Sequence, residues 1–595
     1  MATTSTANAP ARALRRYPQQ LQALVSILAG TLLAGYLSRV FFVLAPDQVH
    51  DTHERFGYVY RLMDFREALL TGHLFPQWST YMRGGLGEPY FSYYQPGFFY
   101  LAASLPQPWG AARTLGLAVF IASLVGFFGM SRLVGARFGP GPGYLAAMIL
   151  LLSVYPATEI YIRGDFAEYT AMMLLPWLFH FLLAWDEHRR TRHLVGGSLS
   201  AAAVIVTHAS VGLLSYLAIG GLLVIAIALV GNLWRLAVSA LPLVAGVMLS
   251  AFYWFPVFFE WHLVQPEAAF AGFYDFRSHF VPVPRLWGAY ERTAVVPLAL
   301  GRPIIVLALF NLVLALARWN RSSRAERTLV VVCSVLLAEG IFMMTHWSLP
   351  LWEGFPPLHK VQFPWRLLSV VTVALATLAS LWIPGGRVSG VLWRLGVPLL
   401  LLVSTSHPTF DRVMQFPLPA RPADLVWLDY RVDVENEWVP RGARIFRPGE
   451  PLGVLGHHMD VENEAGTAPA LGAAASLGVW ASAPRCHTRG FSRGQSRLEL
   501  TVDAQEDCDV VLPHYYFPVS WRGEVKGRDV RLFSHEGFLA AHLPAGTIGD
   551  MTVTFATTPM KKAGIAVSLL SMLVGVAWLG RSHTFASRWS RVRRS

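Results

Sequence analysis

The chain has 595 residues, of which 54% are hydrophobic and 14% are charged, and its mean hydropathy is +0.41. Soluble proteins usually carry about a quarter charged residues, so the composition excludes an ordinary soluble protein and indicates a polytopic membrane protein. The formal charge is +12 and the pI is about 9.7. Because the basic residues fall in short loops and at both ends, they fit the positive-inside rule and not a nucleic-acid surface.

Apolar runs of about 20 residues, long enough to cross the hydrocarbon core of a bilayer, recur along most of the chain. We predict about twelve transmembrane helices, with the arginine-rich loops and both termini in the cytoplasm. Arg12, Arg15 and Arg16 precede the first apolar run. That run has some two dozen residues and is too long for a signal h-region, so it indicates a retained span.

The polar segments divide the chain into five parts. We predict a basic cytoplasmic N-terminus (1–19), a transmembrane domain (20–406, with a first outer loop at 46–111), a β-rich domain (407–560), a last helix (561–580) and a basic tail (581–595). In the β-rich part, short alternating runs separated by turn residues indicate strands and a sandwich-like domain. It must lie outside the cytoplasm, because the last helix leads to the basic tail.

Three cysteines occur in the chain. Cys333 lies in an apolar run, where we expect it to pack. Cys486 and Cys508 fall in the β-rich domain, in a compartment that is oxidising. They can form a disulfide there, but two cysteines do not establish a disulfide framework, so the paired and free states both stay open.

Polar and ionisable residues cluster at the predicted outer ends of the spans. Such residues are costly at membrane depth and commonly line a cavity or a site. The cluster comprises Asp51, His53, Glu54, Arg163, Asp165, Glu168, His208, His346, Lys360, Gln362 and Arg366. No Walker loop or dinucleotide fingerprint occurs in the sequence, so a nucleotide-driven pump is not expected.

Several segments resemble a known bacterial membrane family. They are residues 51–55 through 94–96, 163–168, 253–256, 362–366 and 515–523. They resemble the family labelled "6-pyruvoyl-tetrahydropterin synthase-related", which is similar to the C-type (GT-C) glycosyltransferases and lies near the YfhO-like proteins. The resemblance covers most of residues 20–405. The family label does not carry into function, since the zinc-histidine chemistry of the soluble synthase has no counterpart here.

The resemblance implies a GT-C-like helical fold and an inverting sugar transfer on the outer face of a bacterial inner membrane. The donor would be a polyprenyl-phosphate sugar, and the acceptor a lipid, glycan or protein; membrane lipids are the other expected partners. Asp51 is implied as the general base or as the group that orients the acceptor, with Glu54 as the runner-up. Glu168 matches a second acidic motif.

We also predict roles for the basic and aromatic residues, and for Arg163, Gln362 and Arg366 these roles are implied by the resemblance. Arg163, Lys360, Gln362 and Arg366 would hold the donor phosphate, Arg366 through a bidentate contact. The residues predicted to contact the acceptor or the sugar are His53, Tyr93, Tyr94 and His208. Metal dependence varies across the superfamily, so no cofactor follows and a divalent metal stays open.

Each of these residues also has a structural interpretation. Asp51 can cap a helix that begins near Thr52, and Asp165 can simply pair with Arg163. Arg366 begins a span, where snorkelling to headgroups competes with phosphate binding. His53 and Glu54 suggest a metal pair but lack a third ligand.

The remaining candidates have structural interpretations too. His208 resembles a hydrogen-bonded interior histidine, and the two tyrosines resemble an aromatic membrane belt. At the level of function, the rival hypothesis is a non-catalytic relative that acts as a lipid or glycan transporter or as a scaffold for envelope assembly.

Overall fold

The computed structural model describes residues 9–44, 48–50, 52–54, 57–83, 85–106, 110–230, 233–266, 270–288, 296–382, 396–397, 413–415, 440–442 and 479–592. Asp51 and most of residues 383–478, which include the first half of the predicted β-rich domain, lie outside the described residues.

Most of the described chain is helical. The helices, in chain order, are α1 (Ala9–Ser38), α2 (Val40–Val43), α3 (Gly57–Leu70), α4 (Tyr90–Tyr93), α5 (Gly97–Ala103), α6 (Ala111–Phe138), α7 (Pro140–Leu152), α8 (Val154–Thr158), α9 (Phe166–His188), α10 (Thr191–Thr207), α11 (Ala209–Val230), α12 (Leu233–Leu249), α13 (Ala251–Phe259), α14 (Val283–Trp287), α15 (Arg302–Ala317), α16 (Arg324–Met344), α17 (Leu349–Gly354), α18 (Pro356–His359), α19 (Leu368–Leu378) and α20 (Pro559–Val592). A π-helical stretch, Glu159–Arg163, continues α8.

Several of these helices are long and apolar enough to cross a membrane. Within the described residues there are five: Ala111–Phe138, Pro140–Arg163, Phe166–His188, Arg324–Met344 and Pro559–Trp578. The number becomes six if the pair Ala237–Leu249 and Ala251–Phe259, bent by 70°, forms one span, and four shorter apolar helices accompany them. The protein is therefore mostly helical with several apolar helices, and the predicted count of about twelve spans is not confirmed.

The spans differ in how deeply they are enclosed. In the span Pro140–Arg163, 94% of the most apolar 18-residue stretch is buried inside the protein. In Pro559–Trp578 only 11% of the corresponding stretch is buried. The last helix exposes side chains such as Leu570 and Leu573, as expected of a helix at the edge of a bundle that faces lipid tails. The span Pro140–Arg163, by contrast, carries the polar residues of its C-terminal end, Glu159 and Arg163, into the protein interior.

The C-terminal part is a continuous antiparallel sheet of eight strands. Two short strands earlier in the chain, β1 (Gln48–His50) and β2 (Val413–Gln415), pair only with each other within the described residues. The strands of the eight-stranded sheet are β3 (Trp480–Ala481), β4 (Cys486–Gly494), β5 (Arg497–Ala504), β6 (Cys508–Tyr515), β7 (Trp521–Val525), β8 (Arg528–His535), β9 (Phe538–Leu543) and β10 (Thr547–Phe555). Their order in the sheet is β3-β6-β9-β8-β7-β10-β5-β4. Alternation explains the core, since Leu498, Leu500 and Val502 of β5 are buried and the residues between them are exposed.

The sheet domain docks on the first long loop through an aromatic contact. Trp78 is 1% exposed, and its ring lies 4.8 Å from Phe555 and 5.1 Å from Trp521. The backbone N–H of Tyr515 donates to the carbonyl of Leu86 at 2.9 Å. The loop and the sheet domain therefore share one apolar core.

A disulfide joins Cys486 and Cys508 at the start of β4 and β6. It closes a segment with a sequence separation of 22 residues. Cys333 is free and buried, as expected of a packing residue.

Candidate functional site

A cavity of about 1120 Å³ lies where the first long loop, the α10–α11 junction, the bent pair α12–α13 and the segment before α19 meet. Nine predicted site residues line it: His53, Glu54, Tyr93, Tyr94, Arg163, His208, Lys360, Gln362 and Arg366. Glu168 is fully buried and does not line the cavity. Asp51 lies outside the described residues.

A sharp turn between two spans positions the polar floor of this cavity, which is formed by Arg163, Asp165, His208 and Arg366. Gly164 has φ 69°, and a Cβ at this position would clash with Thr52 Oγ1, so both the backbone conformation and the space require glycine. Asp165 then caps α9, because its Oδ1 accepts the N–H of Glu168 at 2.9 Å. Arg163, Asp165 and Glu168 are thereby brought together within six residues.

The carboxylate of Glu168 holds two arginines from distant parts of the chain. Its Oε2 accepts from Arg163 Nη1 at 2.6 Å and from Arg366 Nε at 3.0 Å. Its Oε1 accepts from the Tyr155 hydroxyl at 2.5 Å and the Ser369 hydroxyl at 3.3 Å. Charge-assisted bonds of this kind are the strong ones, so Glu168 fixes the separation of the two guanidinium groups.

Arg163 is further constrained by its neighbours on the turn. Nη1 also donates to Glu159 Oε2 at 2.5 Å, and Nη2 donates to Asp165 Oδ2 at 3.2 Å. The guanidinium lies over the Trp365 ring, 4.6 Å from its centroid. Glu159 is one π-helical turn before Arg163, and π-helical segments often occur at functional sites.

Asp165 is held by hydrogen bonds as well as by charge. The Tyr58 hydroxyl donates to Asp165 Oδ1 at 2.9 Å and lies 3.1 Å from the hydroxyl of Tyr94. Burial, followed by the negative charge of Asp165, raises the pKa of Tyr58 well above its usual value. Tyr58 therefore stays protonated and donates to Asp165, which fixes the position of this carboxylate.

Arg366 is oriented by an unusual backbone conformation. Gln362 has φ 65°, a left-handed value that is uncommon for a residue other than glycine. Its Oε1 accepts from Arg366 Nη1 at 3.0 Å, and the neighbouring Val361 carbonyl accepts from the same atom at 2.7 Å. Strain of this type is typical of sites whose geometry is imposed by their surroundings.

His208 caps the end of α10 with its ring pointing into the polar floor. Its Nδ1 accepts the N–H of Val211 at 3.2 Å, so the neutral ring carries its proton on Nε2. That nitrogen lies 3.6 Å from Asp165 Oδ2 and 3.9 Å from Glu168 Oε2. In this state Nε2 has no lone pair to accept a proton, so His208 fits a donor and not a general base.

Three residues of this cluster are of types that can bind a cation: Asp165, Glu168 and His208. One possible ligand atom from each lies within 4.8 Å of the others. However, Glu168 Oε2 already accepts from two guanidinium groups, and His208 carries a proton on the nitrogen that a metal would need. A divalent ion would have to displace both arginines. These residues therefore fit an arginine-stabilised anion site and not a metal site.

The first long loop adds a carboxylate to the cavity lining, that of Glu54. The N–H groups of His53 and Glu54 donate to the carbonyls of Ile162 at 3.0 Å and Arg163 at 2.9 Å, which ties the loop to the turn. The Glu54 side chain is 30% exposed and pairs with Arg61 at 3.1 Å. It is thus a partly exposed acid that reaches the cavity.

The aromatic residues are built into the walls. The Tyr93 hydroxyl donates to the carbonyl of Glu260 at 2.8 Å, and the Tyr94 ring stacks on Tyr90 with centroids 4.8 Å apart. Burial raises the pKa of Tyr93 well above its usual value. Lys360 Nζ lies 4.4 Å from the Phe270 ring centroid and 4.9 Å from that of Trp261, a cation–π arrangement.

The charges on the cavity surface are mainly positive. Among the described lining residues, the formal charges are four cations and two carboxylates: Arg163, Arg285, Lys360 and Arg366 against Glu54 and Asp165. The fully buried Glu159 and Glu168 balance this excess from behind the surface. An anion in the cavity would therefore contact cationic groups directly.

Sequence reasoning missed several participants. Glu159, Tyr155 and Ser369 were not predicted, and Asp165 was weighed only as a partner of Arg163, whereas its carboxylate also accepts from Tyr58 and caps α9. The spacing of Glu159 and Arg163, four residues apart, and the Asp165-x-x-Glu168 capping pattern were signals in the sequence. No signal linked Ser369 to residues two hundred positions earlier.

Comparisons with known proteins agree with a membrane protein. A family model described as "6-pyruvoyl-tetrahydropterin synthase related domain; membrane protein" matches residues 91–413. None of the curated proteins compared with the chain matches it significantly.

Two solved structures of mycobacterial enzymes are similar to parts of the chain. The arabinofuranosyltransferase AftD from mycobacteria shares 18% identity and a TM-score of 0.40, covering 65% of this chain and 26% of AftD. The arabinosyltransferase EmbB from Mycobacterium smegmatis shares 11% identity and a TM-score of 0.29, covering 88% of this chain and 64% of EmbB. The chain thus spans about a quarter of AftD and under two thirds of EmbB. Because both TM-scores are below 0.5, neither similarity assigns a function to this chain.

Proposed function

The chain belongs to the 6-pyruvoyl-tetrahydropterin synthase related family of membrane proteins, and from this premise we propose that it is a membrane glycosyltransferase. In this proposal a polyprenyl-phosphate sugar donates its sugar to a lipid, glycan or protein acceptor at the outer face of the membrane. The observation that carries the proposal is the cavity, which combines a cationic surface with apolar, aromatic walls.

The chemistry of the cavity walls supports an amphiphilic anionic donor. Arg163 and Arg366 converge on one carboxylate oxygen and so present two guanidinium groups close together, an arrangement suited to phosphate oxygens. Beyond this polar floor the lining becomes apolar along the spans, with Leu213, Val247 and Val257. A phosphate would bind at the floor and its hydrocarbon chain along the apolar wall.

The transfer needs one acid–base group and one anion site. The acceptor hydroxyl oxygen attacks the anomeric carbon of the sugar, and the bond from that carbon to the phosphate oxygen breaks. The acceptor proton passes to a carboxylate, and polyprenyl phosphate leaves with the bonding electron pair. Asp51 remains the proposed base on the basis of the family resemblance, and Glu54 is the alternative that lines the cavity.

Glu168 takes a different role from the catalytic one first predicted. Since it is 0% exposed and absent from the cavity lining, it is not positioned to receive a proton from an acceptor. We propose that it is a positioning residue, which holds Arg163 and Arg366 at the spacing that a phosphate requires. His208, with its proton on Nε2, would donate a hydrogen bond and not accept a proton.

The proposal is tested by complementing a deletion strain and profiling lipid-linked sugars and envelope glycans. The variants are Asp51→Asn, Glu54→Gln and Arg366→Ala, and Glu499→Gln on the exposed surface of β5 is the matched control. A transferase predicts that Asp51→Asn or Glu54→Gln loses a glycan product while its polyprenyl-linked donor accumulates. The control should restore the wild-type profile.

The outcomes separate the transferase from its rivals. If Asp51→Asn and Glu54→Gln both restore the wild-type glycan profile, the catalytic assignment is refuted, because transfer needs a carboxylate. If Arg366→Ala fails in the same experiment while both acid variants succeed, the protein binds or moves a lipid-linked anion without transferring its sugar. A further variant lacks residues 407–560. If this deletion removes the glycan product while the substitutions leave it intact, the chain acts as a scaffold.

A further inference from the structure

The segment between α16 and the cavity exposes a stripe of large apolar side chains. Trp347, Leu351 and Phe355 are 74%, 54% and 43% exposed. They are spaced four residues apart, through a 3-10 turn (His346–Ser348) and α17, and residues at this spacing share one face of a helix. Soluble proteins rarely leave so many large apolar groups together in water.

The opposite face of the same segment is firmly packed. Trp352 is 0% exposed, and its indole N–H donates to the carbonyl of Met343 at 3.0 Å. Its ring stacks on Phe276, which also stacks on His359 with centroids 4.9 Å apart. The segment is thus fixed to the protein through one side, and the apolar stripe on its other side is a stable surface.

The stripe continues the surface that faces lipid. In α16, a helix long and apolar enough to cross the membrane, Val331 and Phe342 are 47% and 40% exposed. Trp347 follows the end of this helix by three residues. Because a side chain just beyond a span lies at the membrane boundary, the exposed apolar surface passes from the hydrocarbon region directly into the stripe.

The segment also ends at the cavity. Pro356, Pro357 and Lys360 line it, and Gln362 and Arg366 follow within a few residues. The depth of the segment in the membrane therefore sets the depth of the cationic side chains of Lys360 and Arg366.

We propose that residues 346–359 form an interfacial strap that lies in the membrane surface, with Trp347, Leu351 and Phe355 inserted among the lipid acyl chains. The partner is the lipid bilayer itself. Amphipathic segments of this type lie parallel to the membrane, with the apolar face buried about 5–10 Å into the headgroup–acyl boundary. The strap holds Lys360 at the level of lipid phosphates, whether or not the protein transfers a sugar.

The strap is tested by site-specific fluorescence in lipid nanodiscs. Leu351→Cys and Glu353→Cys are labelled separately with a bimane dye, since the other cysteines are a disulfide and the buried Cys333. Glu353 is the matched control because it is exposed on the same short helix and pairs with Arg277 at 3.0 Å. Each sample is quenched by phosphatidylcholine carrying a nitroxide on its acyl chain and, separately, by a water-soluble nickel chelate.

We expect the acyl-chain nitroxide to quench Leu351→Cys at least about twofold more than Glu353→Cys, and the nickel chelate to show the reverse order. A label at Lys360→Cys should respond most to a nitroxide on the lipid headgroup. Equal access of the nickel chelate to Leu351→Cys and Glu353→Cys would overturn the proposal, because the stripe would then face water. Protection of Leu351→Cys from both quenchers would also overturn it, since a protein and not lipid would cover the stripe.

Discussion

Replacing Glu168 by glutamine removes one negative charge from beneath the polar floor of the cavity while keeping the size of the side chain. In the native protein, one oxygen of Glu168 accepts from Arg163 at 2.6 Å and from Arg366 at 3.0 Å. All three side chains are less than a tenth exposed, so solvent does not screen these contacts. Glutamine can keep one carbonyl oxygen in place, but it cannot supply the charge.

The expected loss follows from these two contacts. A hydrogen bond to a charged group contributes about 1.5–3 kcal/mol, against about 0.5–1.5 kcal/mol for an ordinary one, so removing the carboxylate charge from both contacts weakens the native state by about 2–3 kcal/mol. In domains of 150–250 residues 1 kcal/mol shifts Tm by about 2–4 °C, so a fall of at least about 4 °C is expected. The surface pair of Arg497 and Glu499, about half exposed, should contribute at most about 1 kcal/mol, which makes Glu499→Gln the control.

Two measurements on the purified full chain check this reasoning. Thermal unfolding in detergent reports stability, and native mass spectrometry with undecaprenyl phosphate as the probe reports anion binding. Tyr155→Phe gives a graded comparison, because it removes the 2.5 Å bond to the other oxygen of Glu168 and leaves both arginines paired. It should lower Tm without weakening binding.

Glu168→Gln, by contrast, should weaken undecaprenyl phosphate binding by about tenfold or more, because Arg163 and Arg366 are no longer held in the orientation that the phosphate needs. A tenfold loss corresponds to about 1.4 kcal/mol of binding free energy. If Glu168→Gln is as stable as Glu499→Gln and binds the probe like the wild type, the positioning role is refuted. A stability loss without a binding loss would show that the cluster supports the fold alone.

Three further predictions concern other parts of the chain. Arg366→Lys keeps the charge but not the planar fork, so undecaprenyl phosphate binding should fall about tenfold by native mass spectrometry, and unchanged binding would exclude a bidentate contact. Replacing Cys486 and Cys508 together by serine opens a loop of 22 residues and should destabilise the sheet domain by about 3 kcal/mol, seen as faster proteolysis of that domain; equal proteolysis rates would contradict this. Burial raises the pKa of Asp64 from 3.8 to about 7, so the native state holds a proton that the unfolded chain releases. The contribution of Asp64 to stability should therefore fall by up to about 4 kcal/mol as the pH rises from about 4 to about 7, and Asp64→Asn should remove this contribution from the pH dependence of thermal unfolding.

Some features of the site followed from the sequence because they are local. Arg163, Asp165 and Glu168 lie within six residues, and Gly164 between them allows a sharp turn, so their proximity was predictable. The alternation of Leu498, Leu500 and Val502 likewise predicted a strand, because the period of two is a property of the strand itself.

Other features depended on long-range packing. The sequence placed Glu168 at the mouth of a span and suggested a catalytic acid, but its burial results from Tyr155, Ser369 and two arginines that close over it. The convergence of Arg366 with Arg163 joins residues two hundred positions apart, and no local pattern specifies which spans become neighbours.

Composition and periodicity therefore determined that this chain is a helical membrane protein with a β-rich C-terminal part, since apolar runs and alternation reflect the demands of lipid and of the pleated sheet. Only the tertiary structure decided which charged residues meet in one cavity and which are buried beneath it. The physical reason is that the energy of a charged side chain depends on its neighbours and on its exposure to solvent. Both are set when distant helices pack together.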